Sequence, residues 1–216
     1  MVVLVVVFGI VCISYGLVTL SSPPKINYTH TLPEEDSIIE VDYTNLEGII
    51  ATILPSIPAV EEEIRSIQQN NTSYNSIPIE QLFHVDKTYF RYLVRKEVTS
   101  IEYEENLEQL AKNYIESSLQ AFEIAKNEYN VDISQEEITA YIEERIVPIQ
   151  FRGRSKYAEA LNLTREELDY AFDRDSYALN VLWEKSIPIL MERYPKREGE
   201  YEQEYWQRLQ RKLYPH

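Results

Sequence analysis

Apolar side chains recur at steps of three and four residues along most of the chain beyond residue 59. This periodicity is typical of helices that bury one face. The clearest run predicts a long helix from about Ser100 to Tyr129, with Asn130 as its stop. Its buried positions are expected to be Leu107, Leu110, Ala111, Tyr114, Ile115, Ser118, Leu119, Phe122 and Ala125. No strand-like alternation of useful length appears after Ile79, so we predict an all-α fold, an irregular helical bundle with one long central helix.

Two capping boxes set helix starts in the second half of the chain. Ser134 is followed three residues later by Glu137, and Thr164 by Glu167. In such a box, the hydroxyl accepts the amide hydrogen of the third helical residue, and the glutamate bonds back to the cap. We therefore predict one helix from Ser134 to a stop at Pro148 and another that starts after Thr164.

The remaining helices are predicted from apolar periodicity and from prolines. Shorter helices are expected near 44–54, over 59–70, over 86–98 with Asp86 as N-cap, and through the segment SKYAEAL. The helix that follows Thr164 is expected to run to Pro195, with a kink near Pro188. A last helix, about 198–213, places Tyr201, Tyr205, Trp206, Leu209 and Leu213 on one side, and we expect this stripe to pack back on the bundle.

The N-terminal residues 2–20 carry no charged side chain, and this apolar length is enough to cross a bilayer. Two interpretations stay open, a retained membrane anchor or a signal peptide cleaved near Ser14-Tyr15-Gly16. Cys12 does not resemble a lipidation site, because Ile10 and Val11 precede it where small residues are expected. Either interpretation places residues 25–216 outside the cytoplasm, on a single-pass membrane protein or, after cleavage, in secreted form.

A proline-rich segment follows the leader, with Pro23, Pro24 and Pro33 among Ser, Thr and Asn. This composition is typical of an extended linker. We therefore divide the chain into 1–22, a membrane anchor or signal peptide, 23–78, a linker with short helices, and 79–216, a helical domain.

The formal net charge is −15, and all of it lies beyond residue 22. Such a surface repels phosphate backbones, so we expect no nucleic-acid partner. Acidic runs occur at 34–36, 61–63, 143–144 and at Asp173 with Asp175, and we interpret them as solvated helix faces.

The residues give little sign of catalytic or cofactor chemistry. The histidines are His30, His84 and His216, none with a second histidine at helical ligand spacing, and Cys12 is the sole cysteine. No nucleophile elbow or glycine-rich phosphate loop is present. We predict no catalytic residue, no metal ligand, no cofactor and no enzymatic activity.

The second half of the chain resembles the N-terminal helical domain of SurA-type chaperones. In NYIESSLQAFEIAKNEYNVDISQEEITAYIEERI, a long helix ends at an Ala-Lys-x-x-x-x-Val boundary and the next opens with Ser-x-Glu-Glu. The boundary is carried by Ala125, Lys126, Val131, Ser134, Glu136 and Glu137. The next step, a leucine and then Leu-Thr-x-Glu-Glu, is carried by Leu161, Leu163, Thr164, Glu166 and Glu167. The resemblance spans roughly residues 85–213, including the tail YEQEYWQRLQRKL.

This resemblance implies a helical chaperone-like domain of exported proteins, related to SurA and PrsA foldases. No parvulin-type isomerase domain is recognisable, so prolyl isomerase activity is not expected. We predict a membrane-tethered, extracytoplasmic protein that binds unfolded segments of exported proteins through apolar and aromatic side chains, with no individual residue assigned to client contact. Two other hypotheses stay open. One is a cell-envelope assembly protein that recognises one folded partner. The other is a hydrolase built on an inward-facing pair of carboxylates with raised pKa values.

Overall fold

The computed structural model describes residues 43–69, 77–99, 103, 106–149 and 152–214. Within these ranges the chain is helical and contains no strand, which confirms the all-α prediction. The α-helices are α1 Leu46–Ile53, α2 Pro58–Gln69, α3 Val85–Thr99, α4 Leu107–Tyr129, α5 Gln135–Tyr141, α6 Arg152–Ala160, α7 Arg165–Glu167, α8 Arg174–Arg193 and α9 Glu202–Leu213. Short 3-10 turns lie at Leu54–Ser56 and Ile79–Leu82.

Local capping explains where the central helices begin and end. The Asn106 side chain accepts the amide hydrogens of Glu108 and Gln109 at the start of α4. Asn130, at its end, adopts a left-handed conformation with φ of 53°. Both predicted capping boxes are present, Ser134 with Glu137 before α5 and Thr164 with Glu167 before α7. These pairs occupy amide groups that the first helical turn leaves without a backbone acceptor.

Two helices widen into a π-helical turn, which the sequence did not predict. α5 continues through Ile142–Ile146, where the Val147 amide donates to the Ile142 carbonyl. α7 continues through Leu168–Phe172, where the Asp173 amide donates to the Leu168 carbonyl. The predicted single helix from Thr164 to Pro195 is therefore interrupted at Asp173, and α8 then runs through Pro188 to Arg193.

The apolar side chains form two buried clusters. The larger one joins α4, α5, α8 and α9, and contains Tyr114, Ile115, Ile138, Ile142, Leu182, Trp183, Leu190, Tyr205, Trp206, Leu209 and Leu213 among others. As predicted, the aromatic stripe of α9 packs back on the bundle, except for Tyr201, whose surface is 75% exposed. The larger cluster thus assembles the predicted central helix with the C-terminal helices.

The smaller apolar cluster joins α1, α2, α3, α6 and α7. It includes Leu46, Ile50, Val60, Ile64, Phe90, Val94, Tyr157, Leu161 and Phe172. The region 43–69, which the sequence analysis assigned to the linker, therefore packs into the helical body. The reason is that α1 and α2 each bury an apolar face against the helices that follow.

The predictions about membrane attachment fall on residues outside the described ranges. These residues are the leader 2–20 with Cys12, the prolines at 23, 24 and 33, His30 and His216. Of the helices that the structure describes, none has both the length and the apolar character needed to cross a bilayer.

Candidate functional site

A buried group of charges lies where α3 meets the start of α8. Arg91 is 1% exposed, and its Nη1 lies 2.5 Å from Oδ2 of Asp175. Its Nη2 donates to Oδ1 of Asp175 at 2.9 Å, to Oδ1 of Asp173 at 2.9 Å and to the Phe172 carbonyl at 2.8 Å. Arg91 thus bonds one backbone carbonyl and two carboxylates at the break before α8.

Lys87 extends this group by one turn of α3. Its Nζ donates to Oε1 of Glu63 on α2 at 2.8 Å and lies 3.8 Å from Oδ1 of Asp175. The ring of Phe172 lies beneath both cations, 5.6 Å from Lys87 Nζ and 5.4 Å from the Arg91 guanidinium carbon. We call Glu63, Lys87, Arg91, Asp173 and Asp175 the Arg91 cluster.

The two aspartates of the Arg91 cluster have opposite electrostatic situations. Burial raises the pKa of Asp173 to about 6, and the attraction of Arg91 and Arg154 does not overcome it. Burial also acts to raise the pKa of Asp175, but the charges of Arg91 and Lys87 and the bond to Arg91 hold it below its usual value. The difference follows from geometry, because Asp175 accepts from both terminal nitrogens of Arg91 and Asp173 from one.

Neighbouring ion pairs connect the Arg91 cluster to the rest of the bundle. Arg154 on α6 donates to Asp169 and contacts the Tyr177 hydroxyl, and Arg165 lies 3.4 Å from the same aspartate. On the other side of α8, Arg174 donates to the Gln135 side chain at 2.7 Å and to the Gln135 carbonyl at 2.8 Å. The start of α8 is therefore fixed to α3, α5 and α6 by charged hydrogen bonds.

A different environment exists farther along α8, where a groove of about 360 Å³ opens between this helix and α5. Its apolar lining comes from Ala140, Tyr141 and Val181. Its charged lining comes from Glu137, Glu144, Arg145, Glu184 and Lys185. We call this the α5–α8 groove. Two of its residues, Glu144 and Arg145, belong to the π-helical turn after α5, a feature that is frequent at functional sites.

The charged lining of the groove is only partly satisfied within the chain. Lys185 Nζ donates to Oε1 of Glu137 at 2.6 Å and to the Asp132 carbonyl at 2.6 Å. Glu144 and Glu184 are exposed, and neither forms a hydrogen bond or ion pair with another described side chain. These two carboxylates remain available to a ligand.

The structure corrects one interpretation of the acidic runs. Asp173 and Asp175 are not solvated, because they are 5% and 1% exposed and bond to Arg91. In the run at 61–63, Glu61 and Glu62 are exposed, whereas Glu63 is half-buried and pairs with Lys87. The run at 143–144 is exposed, and His84 lies at the surface. Sequence reasoning missed Arg91, whose partners lie more than 80 positions away; the five-residue step from Phe172 to Tyr177 is a signal that indicates the interruption of the helix.

The charged side chains of the Arg91 cluster are paired with one another and largely buried, which limits the reactions that they could support. A hydrolytic pair needs two accessible carboxylates, at least one with a raised pKa. Asp173 has a raised pKa and Asp175 a lowered one, and Arg91 forms an ion pair with each carboxylate. The pair as arranged fixes α8 to α3. Across the described ranges, no three His, Cys, Asp or Glu side chains gather as metal ligands.

No protein-family model, curated protein or solved structure matches this chain. The resemblance to SurA-type chaperones therefore stays a prediction drawn from the residues.

Proposed function

We propose that this chain is a membrane-tethered, extracytoplasmic chaperone-like protein that binds unfolded segments of exported proteins without catalysis. The observation that carries the proposal is the α5–α8 groove, which is open to solvent and lined by Ala140, Tyr141 and Val181. A volume near 360 Å³ lies at the small end of ligand pockets and suits one or two side chains of an extended segment.

The packed core behind the groove supports this role. Tyr141 rests against the buried Tyr177 ring with centroids 6.2 Å apart, so the aromatic wall of the groove is backed by the core. Shape-tolerant apolar contact of this kind requires no short sequence motif. The proposed tether at residues 2–20 and the acidic charge of the remaining chain suit a soluble domain held near a membrane.

A second candidate is a cell-envelope assembly protein that recognises one folded partner. The observation that favours it is the small amount of exposed apolar surface. Among the described residues, the large apolar side chains that are clearly exposed are Val147, Met191 and Tyr201. Broad client binding usually uses a larger apolar patch, whereas a small contact suits one specific partner.

The test uses the full-length chain in detergent micelles and measures suppression of aggregation of a chemically unfolded client at near-equimolar ratio. The variant Ala140→Trp fills the groove at an exposed position, and Ala59→Trp makes the same change on the exposed face of α2. We expect suppression by the unmodified chain and by Ala59→Trp, and its loss in Ala140→Trp.

The outcomes separate the candidates. An equally acidic inert protein serves as the control for nonspecific charge effects. Suppression no greater than this control refutes the chaperone proposal. Suppression that is unchanged in Ala140→Trp refutes the assignment to the groove. One folded protein that binds with defined stoichiometry, without any suppression of aggregation, supports the assembly protein instead.

A further inference from the structure

We propose that the α5–α8 groove selects unfolded segments in which a basic residue lies beside an aromatic or aliphatic one. This inference rests on the proposed function of the groove and names the class of client it accepts. We infer it from the apolar lining of the groove and from the two available carboxylates, Glu144 and Glu184.

The charged side chains that line the groove carry a negative net charge. Its lining contains three carboxylates and two cations. Lys185 is already engaged by Glu137 and by the Asp132 carbonyl, so it offers little to an anionic ligand. Apart from that pair, the charged lining consists of Glu144 from the π-helical turn, Glu184 from α8 and Arg145, which leaves an excess of negative charge. A cation from a ligand would complete this set.

Tyr141 forms the aromatic wall of the groove. Tyr141 is half-buried in the groove and is held in place by Tyr177, whose ring is itself covered by the Arg154 guanidinium at 5.6 Å. A guanidinium or ammonium group prefers the face of such a ring when carboxylates lie nearby. Ala140, which is exposed, provides contact for the neighbouring apolar side chain of the same segment, and the buried Val181 lies behind it.

The electrostatic field of the whole protein also favours basic segments. The net charge of −15 raises the local concentration of basic segments and repels acidic ones. Long-range attraction alone would act at every acidic surface, whereas the groove adds a fixed position and a direct contact. The distinction between these two effects determines the design of the test.

The test compares three labelled peptides that share one apolar pattern and carry arginine, glutamine or glutamate at the central position. Fluorescence anisotropy measures their binding to the full-length chain in a zwitterionic detergent. We expect the arginine peptide to bind roughly three- to tenfold more tightly than the glutamine peptide at low salt. The preference should shrink in about 1 M salt, where charges are screened beyond about 3 Å.

A matched pair of double variants separates local from global charge. Glu144→Gln with Glu184→Gln removes the two groove carboxylates, and Glu116→Gln with Glu123→Gln removes two exposed carboxylates of α4. Both variants change the net charge equally. We expect only the groove variant to abolish the preference for the arginine peptide over the glutamine peptide.

Each other result counts against the inference in a different way. An equal loss in both double variants assigns the preference to the general acidic surface and overturns the groove site. Equal binding of all three peptides, lost in Ala140→Trp, overturns the preference for basic segments but leaves the proposed function intact. Binding of none of the peptides, together with no suppression of aggregation, refutes both.

Discussion

The Arg91 cluster and the α5–α8 groove lie on the same helix and use the same kinds of charged side chain, yet their environments differ. At the start of α8, Asp173 and Asp175 are buried and bonded to a guanidinium. Near the middle of the same helix, Glu184 and Lys185 are exposed to solvent. A buried charge must be paired within the chain, because an unpaired one loses its hydration at a large cost in free energy. An exposed charge stays hydrated and can bind an external partner.

This comparison assigns different roles to the two regions. In the Arg91 cluster, one guanidinium bonds two carboxylates and a backbone carbonyl, so removal of the guanidinium leaves both carboxylates buried without their main cation. In the groove, solvent can replace the partner of an exposed charged side chain at little cost. We therefore expect mutations in the cluster to change stability and mutations in the groove to change binding.

The largest expected effect comes from Arg91→Met, which keeps much of the side-chain volume but leaves Asp173 and Asp175 without their main cation. Loss of one partner of a buried ion pair costs about 3–5 kcal/mol of unfolding free energy. Urea denaturation followed by circular dichroism measures it. The control is Arg65→Met, since Arg65 pairs with Glu61 and Glu62 at the surface, and we expect a loss below about 1 kcal/mol. Equal losses in the two variants would contradict the distinction.

The next effect concerns pH. The folded-state pKa of Asp173 is raised to about 6 from 3.8, so the folded protein binds this proton more tightly than the unfolded chain. The contribution of Asp173 to stability is therefore full below about 3.8 and is lost as the pH rises through about 6. We expect stability to increase by ~1–3 kcal/mol from this group as the pH falls from about 7.5 to 4.5.

The variant Asp173→Asn checks the assignment, because Asn has no proton to gain and its oxygen can still accept from Arg91. We expect this variant to be at least as stable as the unmodified chain at neutral pH and to lack the increase in acid. Asp175 cannot mimic the effect, since its lowered pKa makes its contribution disappear only below about 3.8. A fall in stability of the unmodified chain over the same pH range would refute the role of Asp173.

A smaller effect is expected at the two capping boxes, one beside each region. Ser134→Ala before α5 and Thr164→Ala before α7 should each cost about 1 kcal/mol, because an amide of the first turn loses its acceptor. Ser117→Ala, inside α4, should be neutral or slightly stabilising, since alanine is the better helix former there. Thermal denaturation of the three variants measures this; a cost at Ser117 as large as at the caps would argue against the capping explanation.

These caps also show which parts of the fold can be predicted from sequence. Ser134 with Glu137, Thr164 with Glu167 and Asn130 act within a few residues, so a short window contains all the determinants. The central helix α4 was predicted for a similar reason, because its apolar period needs no knowledge of its partners, but it begins at Leu107 and not near Ser100. The all-α class follows from such local signals.

The Arg91 cluster could not be predicted in this way. Arg91 and Asp175 are 84 positions apart, and their pairing depends on the packing of α3 against α8. A charged residue on a helix has the same local pattern whether its partner is water or another helix, so Asp173 and Asp175 were interpreted as solvated. The place of α1 and α2 in the smaller apolar cluster was missed because residues 23–78 were assigned to a linker from the proline-rich segment at their start. The groove was hidden for a related reason, since exposed and core-facing apolar side chains share one period.

The smallest expected effect on stability is in the groove itself, and it completes the comparison. Glu144→Gln with Glu184→Gln should change the unfolding free energy by no more than about 0.5 kcal/mol, because both carboxylates are exposed and form no ion pair with a described side chain. Urea denaturation at pH 7.5 measures it beside Arg91→Met. A loss of several kcal/mol would mean that the groove carboxylates support the fold, and the contrast with the Arg91 cluster would then disappear. Unchanged stability with altered peptide binding would instead show that the fold does not need these two charges, and that they are free to serve recognition.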